Sequence, residues 1–297
     1  MKVAVVSVTY NSSNVAQGFL DSMLQQTHSD FLLYIVDNAS SDDTLERLAH
    51  YKDVRVRVLA NKANVGFAEA SNQGILAGFA ENCDAVLFLN NDTEFGPLLI
   101  EKLVRGLDEF SSDMAAPKIL YYDRQQTIWS AGGGFNSLKG YAGFHFGLDE
   151  FDAGQFDQPR LVEHAPACCL LVRKQVFERI GLMDPRYFVY LDDTDFCYRA
   201  NRAGFKIIYL PGATLFHKAS ALTGGPESKF SVRFRTRNQV YFMLKNLGFW
   251  RGLFYLPAFQ LYQLVKLISR KIDLPGFALR QKAFVEGFRV WIESTRH

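Results

Sequence analysis

Four short apolar runs in the first ninety residues each stop at a polar turn, and helix-spaced segments separate them. Val3 to Val8 ends at Thr9, Tyr10 and Asn11; Phe31 to Val36 ends at Asp37, Asn38, Ala39 and Ser40. Val54 to Leu59 runs into a polar stretch that begins near Asn61, and Ala85 to Leu89 ends at Asn90, Asn91 and Asp92. Helical spacing covers Val15 to Leu24, a segment capped by Ser41 that runs to about His50, and Phe67 to Ala80. Strands apolar along their whole length are buried on both faces, and strands alternating with helices imply a parallel sheet covered on both sides. In such a sheet all four polar turns fall along one edge, the carboxyl edge, where open α/β folds bind ligands.

The chain has 297 residues, of which 48% are apolar and 14% aromatic, enough for a substantial core. The formal net charge of +2 hides an asymmetry. Residues 229–297 hold 13 Lys and Arg against 3 Asp and Glu, a net of +10, so the preceding body is net −8. A basic, aromatic-rich tail on an acidic body calls for an anionic partner. Cys83, Cys168, Cys169 and Cys197 fit neither a zinc ribbon nor a disulfide framework and are expected to be reduced, buried thiols. The chain opens on a strand with no signal-peptide pattern, which points to a cytoplasmic protein.

The middle, from about 114 to 172, is less regular. Trp129 to Gly134 and the Gly- and Phe-rich stretch 140–147 predict turns and a hairpin rather than another βαβ unit, and Leu161 to Val172 a return strand. Asp192 to Gly204 reads as a helix with its acids in the first turn, where the helix dipole favours them. Lys206 to Leu210 reads as a late strand leading to His217. Beyond it, Thr223 to Pro226 marks a mobile linker, and Gly252 to Val265 is 14 residues without a charge, too short and polar for a membrane span. It suits an interfacial helix flanked by Arg251, Lys266, Arg270 and Lys271; the alternative is a helical appendage packed on the main domain. The chain divides into a body over 1–222, with halves 1–110 and 111–222, and a tail over 223–297.

The order of these clusters carries a resemblance. Val8 to Asn11, Val36 to Asp42, Asn64 to Phe67, Leu89 to Thr93, Tyr190 to Ala200 and Phe216-His217 together resemble the inverting family 2 glycosyltransferases. Leu89 to Thr93 and Trp129 to Gly133 look most like the bacterial rhamnosyltransferase-type branch. The resemblance implies a GT-A fold, a Rossmann-like, mostly parallel sheet with helices on both faces, here followed by a helical, basic-aromatic appendage. It also implies a nucleotide-diphosphate sugar donor and a divalent metal, Mn²⁺ or Mg²⁺. Thr9, Tyr10, Asn11, Asp37, Asn64, Asn90 and Asn91 are then donor-binding candidates. A carboxylate accepting from a pyrimidine imino N–H would explain Asp37; a turn or helix-capping role is the alternative.

Asn90 to Asp92 occupies the place of the family's Asp-x-Asp motif, with Asn standing for its first acid. A diphosphate donor brings its own negative charge, so one or two protein anions suffice to hold an ion. Asp92 and His217 are the metal-ligand candidates, and imidazole suits Mn²⁺ better than Mg²⁺. Asp193 is the candidate base: inversion needs one carboxylate to take the acceptor hydroxyl's proton, whereas a departing diphosphate needs no protonation. Trp129, Asp192, Asp195 and Arg199 are expected beside the acceptor or behind the base, and Asp195 has Arg199 one helical turn on. Lys229, Arg233 and Arg235 are expected on a lid closing over the diphosphate.

The resulting expectation is a rhamnosyltransferase using dTDP-rhamnose and a lipid-linked or polysaccharide acceptor, held peripherally at the inner face of a bacterial plasma membrane. A UDP-hexose or galactofuranose transferase of the same fold, or a non-catalytic nucleotide-sugar-binding subunit, are the competing readings. The tail has no recognisable nucleic-acid module, and its aromatics sit among apolar runs, so an anionic membrane surface is its expected partner.

Overall fold

The computed structural model describes residues 1–218, 225 and 227–296. The first half follows the alternation: β1 (Val3–Thr9), α1 (Ala16–Leu24), β2 (Phe31–Asp37), α2 (Thr44–Ala49), β3 (Val56–Ala60), α3 (Phe67–Ala80), β4 (Ala85–Leu89), β5 (Thr93–Phe95) and α4 (Leu99–Glu109). Then come β6 (Met114–Tyr121), β7 (Ile128–Ser130), β8 (Gly133–Asn136), β9 (Ala142–His145), β10 (Arg160–Val162), β11 (Cys169–Arg173), α5 (Lys174–Ile180), α6 (Asp192–Arg202) and β12 (Ile207–His217). Three helices close the chain, α7 (Lys229–Asn246), α8 (Phe249–Ile268) and α9 (Leu274–Ser294).

The main sheet runs β10-β12-β6-β11-β4-β1-β2-β3, with β5 and β7 added on β12 and β6. β1 to β4, β6 and β12 all run one way; β11 and the short β5, β7 and β10 run against them. Alternate residues feed two cores. Val3, Val5, Leu33 and Leu87 pack with α1 and α4, while Ala4, Val6, Tyr34 and Val86 pack on the other face with α3, α5 and α6. α3 lies so close that a Cβ at Gly74 would come within 2.7 Å of Val6, and one at Gly78 would strike Ala4.

The middle is more regular than its sequence suggests. Met114–Tyr121 is a full strand, disguised by Pro117 and Lys118. Pro117 sits where the β6–β12 register slips between Leu210 and Thr214, the kind of irregularity that tolerates a residue without an N–H. Lys118 is 4% exposed because its ammonium meets Asp152 at 2.8 Å and Asp157 at 2.5 Å. The expected return strand is two: β10 pairs with β12, and β11 inserts between β4 and β6. The hairpin is present as β8–β9, and the late strand continues unbroken to His217.

The tail is helical from Lys229, so residues 229–237, expected in a loop, form the first turns of α7; Ser228 caps them by accepting from the Ser231 N–H at 3.1 Å. Thr223, Gly224 and Pro226 lie outside the described residues. α7 is buried along most of its length and joins Tyr187 and Tyr198 in a third core. α9 covers it, with Gly287 so close that a Cβ there would come within 2.5 Å of the Arg237 carbonyl. No helix among the described residues is long and apolar enough to cross a membrane. All four cysteines are free and buried.

Candidate functional site

Parallel strand ends bring the chemistry to one edge. β4 and β12 run the same way, so Asn90 to Asp92 and His217 emerge together, and β5 folds back so that Thr93 pairs with His217. Reversed β11 presents its beginning there, and Cys168 accepts from the Asn90 N–H at 2.9 Å. These ends line a cavity of about 870 Å³ together with Trp129, His145, His164, Asp192 and Asp193. Of the sequence candidates, Asn90, Asn91, Asp92, Trp129, Asp192, Asp193, His217 and Arg235 lie on this cavity.

Asp92 Oδ1 and His217 Nε2 are 3.3 Å apart and both residues are buried. Burial works against charging His217, but the Cys168 sulfur and the Asp92 carboxylate outweigh it and hold the imidazole well above its ordinary pKa. Asp92 Oδ1, Asn91 Nδ2 and His217 Nδ1 are buried without an aligned hydrogen-bond partner, the condition expected of groups awaiting a cation and its ligands. No three metal-binding side chains converge among the described residues. The pair therefore fits an ion that takes its remaining ligands from a bound diphosphate, and fits no ion held by the protein alone. Trp129 stands edge-on to His217 at 4.5 Å and to His145 at 4.7 Å between ring centroids, walling one side.

Across the cavity, Asp193 begins α6. Its Oδ1 accepts from the Thr194 N–H at 2.7 Å and its Oδ2 from the Ala167 N–H at 3.3 Å. Burial, and then the neighbouring Asp193 charge, push Asp192 well above the usual carboxylate range. Asp192 thus keeps its proton more readily than an ordinary carboxyl, which lessens the like charge beside Asp193. His164 approaches Thr194 Oγ1 at 3.4 Å and stacks on His145 at 5.6 Å. These histidines were not sequence candidates; His145 ends the short strand β9 and His164 follows β10, and neither sits in a motif.

The segment entering α6 is held in an uncommon shape. Phe188, Tyr190 and Leu191 have φ of 65°, 65° and 62°, a region that residues other than glycine occupy at a cost. Asn238, fully buried on α7, donates to the carbonyls of Tyr187, Val189 and Tyr190 at 2.9, 2.8 and 2.8 Å. Arg237 donates to the Tyr187 carbonyl at 2.7 Å. The tail thereby holds the backbone that delivers Asp193.

Other candidates lie elsewhere. Asp37 is fully buried, accepting from Thr9 Oγ1 at 2.9 Å, Ser40 Oγ at 2.5 Å and the Ser40 N–H at 3.0 Å. Asn11 accepts from the Ser41 N–H at 2.8 Å, and Tyr10 is 46% exposed beside it. Both Asp37 and Asn11 therefore order the β1 and β2 turns, the turn role weighed for Asp37 from sequence. Asn64 accepts from the Gly66 N–H at 3.0 Å, and Gly66, at φ 87°, leaves room for Phe188. Asp195 and Arg199 pair at 2.8 Å away from the cavity, where Asp195 also meets Lys245 at 2.8 Å. Lys229, exposed, is off the cavity, and Arg233 is tied to Glu286 at 2.7 Å, so of the three expected lid cations only Arg235 reaches the wall. These three residues lie on a helix rather than a loop, and its spacing turns Arg233 toward α9.

Residues 4–181 match the family described as glycosyl transferase family 2, more than half of the chain, and the chain belongs to that family. It is 28% identical over 267 residues to an N-acetylglucosaminyl-diphospho-decaprenol L-rhamnosyltransferase of Mycobacterium tuberculosis, covering 84% of this chain and 86% of that one. It is 22% identical over 251 residues to the dTDP-rhamnosyl transferase RfbF of Shigella flexneri, covering 82% and 80%. Among solved structures it is similar to S. aureus TarS (1-349), with a TM-score of 0.57, 17% identity and coverage of 98% and 82%. It is also similar to GalNAc-T7 crystallised with UDP, GalNAc and Mn²⁺, with a TM-score of 0.61, 17% identity and coverage of 82% and 49%. The fold is thus the α/β GT-A type, the relatives fall on the rhamnosyltransferase-like branch, and the chain is a sugar-transferring enzyme of glycan synthesis.

Proposed function

We propose that this enzyme is an inverting, metal-dependent transferase that moves L-rhamnose from dTDP-rhamnose to a lipid-linked or polysaccharide acceptor. The observation that carries this is one cavity with Asp92 beside His217 on one side and Asp193 on the other. Asp92 and His217 would hold the divalent ion, Mn²⁺ or Mg²⁺, with Asn90 and Asn91 beside the donor and its base near Tyr10 and the turn built on Asn11 and Asp37. The ion, when bound, offsets the charge gathering on the departing diphosphate. Asp193 takes the proton of the acceptor hydroxyl as that oxygen attacks the anomeric carbon from the opposite side. The N–H groups of Thr194 and Ala167 keep the base oriented, and the raised pKa of Asp192 lessens the like charge beside it. The rhamnosyl donor is supported by the names of two relatives. Peripheral binding to the inner face of the plasma membrane is supported by the +10 tail and the exposed Trp250, Phe254 and Ile268 of α8.

A melting-temperature screen with dTDP- and UDP-sugars, with and without Mn²⁺, tests the reading, since a ligand bound by the native state alone stabilises it by mass action. dTDP-rhamnose with Mn²⁺ is expected to give the largest rise. A larger rise with a UDP-hexose transfers the reading to that donor, and no rise with any nucleotide sugar removes it.

A further inference from the structure

The cavity's two walls differ in charge. Asp92 and Asp193 lie at the sheet edge with His217 beside Asp92, whereas Arg235 of α7, Lys266 of α8 and Arg280 of α9 lie on the helical wall, where Glu227 is the one acid among the described residues. Arg280 is 7% exposed, yet among the described residues its guanidinium meets only the Gly276 carbonyl at 3.2 Å and the Glu227 carboxylate at 3.4 Å, and the Glu227 side chain is 79% exposed. Arg235 lies over the Tyr190 ring at 4.9 Å and Lys266 over Tyr262 at 4.8 Å; neither has a carboxylate within ion-pair distance among the described residues. Arg280 alone of the three is buried, Lys266 is half-buried and Arg235 exposed, so the wall sets three cations against the single Glu227 carboxylate and favours an anionic ligand. On the same wall Gln263 is 4% exposed and its Oε1 has no partner.

Helix α8 links this wall to the surface. At 3.6 residues per turn, Phe259, Gln263 and Lys266 share the face toward the cavity. Trp250, Phe254, Leu261, Val265 and Ile268 share the opposite face, 51–80% exposed. One helix thus carries a cation and an unpaired amide inward and an apolar stripe outward.

We propose that the α7–α9 wall is the acceptor subsite and takes the phosphate groups of a diphosphate-linked lipid. Their oxygens meet Arg235, Lys266 and Arg280, the attached sugar reaches Gln263 and then Asp193, and the hydrocarbon leaves along the outer stripe of α8. This rests on the glycosyl-transfer reading only for the place of the donor at the sheet edge. The charge separation keeps the two substrates' phosphates apart, on opposite sides of the base.

The test uses the full chain in EDTA, so that the Asp92–His217 pair binds no metal, with farnesyl diphosphate, inorganic pyrophosphate and farnesol as probes. Wild-type protein is expected to bind farnesyl diphosphate at least tenfold more tightly than either other probe. Lys266→Gln and Arg235→Gln should each weaken it about tenfold while nucleotide binding with Mn²⁺, measured separately, stays within twofold. Arg280→Gln should do the same if it folds; the other two carry the test if it does not. Unchanged farnesyl diphosphate affinity in both variants overturns the proposal. So does equal wild-type affinity for pyrophosphate, which marks a free-phosphate site, or a parallel loss of nucleotide affinity, which assigns the cations to the donor. Failure of nucleotide binding in wild-type protein, with lipid binding intact, would strike the donor reading and leave this subsite standing.

Discussion

Asn238→Ala probes the coupling between tail and catalytic edge. The side chain serves three carbonyls with two N–H hydrogens, and Arg237 continues to serve Tyr187, so truncation strands chiefly the Val189 and Tyr190 carbonyls. A buried polar group left unsatisfied costs about 1–3 kcal/mol, for a gross loss of about 2–6 kcal/mol. Relaxation of Phe188, Tyr190 and Leu191 from positive φ returns part of this, at about 1–3 kcal/mol for each residue that escapes. The expected net loss of stability is therefore small, about 1–3 kcal/mol, while the lost order appears in the placement of Asp193. Transfer should fall at least tenfold, toward the ~10²–10⁴-fold contribution of a positioned base, with donor affinity held within about twofold. Asn238→Asp should be worse than Ala: one carboxylate oxygen keeps the contact from Arg237 Nε, but the other, replacing the amide nitrogen, would face three carbonyl oxygens. Urea unfolding, transfer kinetics and donor titration on the two variants measure all three quantities. Transfer within twofold of wild type in Asn238→Ala, or an Asp variant more active than the Ala variant, would refute the reasoning.

Asp92→Ala and His217→Ala should each weaken Mn²⁺-dependent donor binding and be rescued poorly by excess metal; an unchanged metal titration in His217→Ala would return that residue to a structural role. Because His217 holds its proton more tightly than a free imidazole, a cation binding beside Asp92 competes with that proton. Metal affinity should accordingly rise with pH, with proton release seen by calorimetry in buffers of different ionisation enthalpy. Burial lowers the pKa of His145 and His164, the neighbouring His164 ring adding to it at His145 and Asp193 opposing it at His164. These two histidines therefore remove stability as pH falls below about 6.5, whereas His217 and Asp192, with raised pKa, act in the opposite direction. The share of His145 is read from the difference between variants: His145→Gln should lose less stability than wild type between pH 7.5 and 5 in urea unfolding.

The first part of the catalytic edge was legible from periodicity: parallel strands with apolar interiors must place their polar ends, Asn90 to Asp92 among them, together. His217 was joined to that edge by resemblance to the family, since a lone histidine after a late strand carries no period of its own. Periodicity failed where the chain's local chemistry contradicts its fold. Pro117 and Lys118 interrupt β6, and only the register slip opposite Pro117 and the two aspartates around Lys118 make that strand tolerable. Asp37 and Asn64 were legible as polar turn residues, but whether a turn residue faces inward or toward a ligand depends on partners, here Ser40 and Gly66, that spacing alone leaves open. The basic tail was legible as a helical appendage. Its contribution to the cavity was not, because Arg235, Lys266 and Arg280 converge from three helices whose packing no local pattern encodes.

The central claim is that Asp193 is the base of a glycosyl transfer whose donor is held by other residues. It is tested most directly by Asp193→Asn, nearly isosteric and unable to take a proton. With a nucleotide-sugar donor shown to bind wild-type enzyme, the variant is expected to bind it within about twofold and to lose transfer by ~10²-fold or more. Transfer above about a tenth of the wild-type rate would contradict the account.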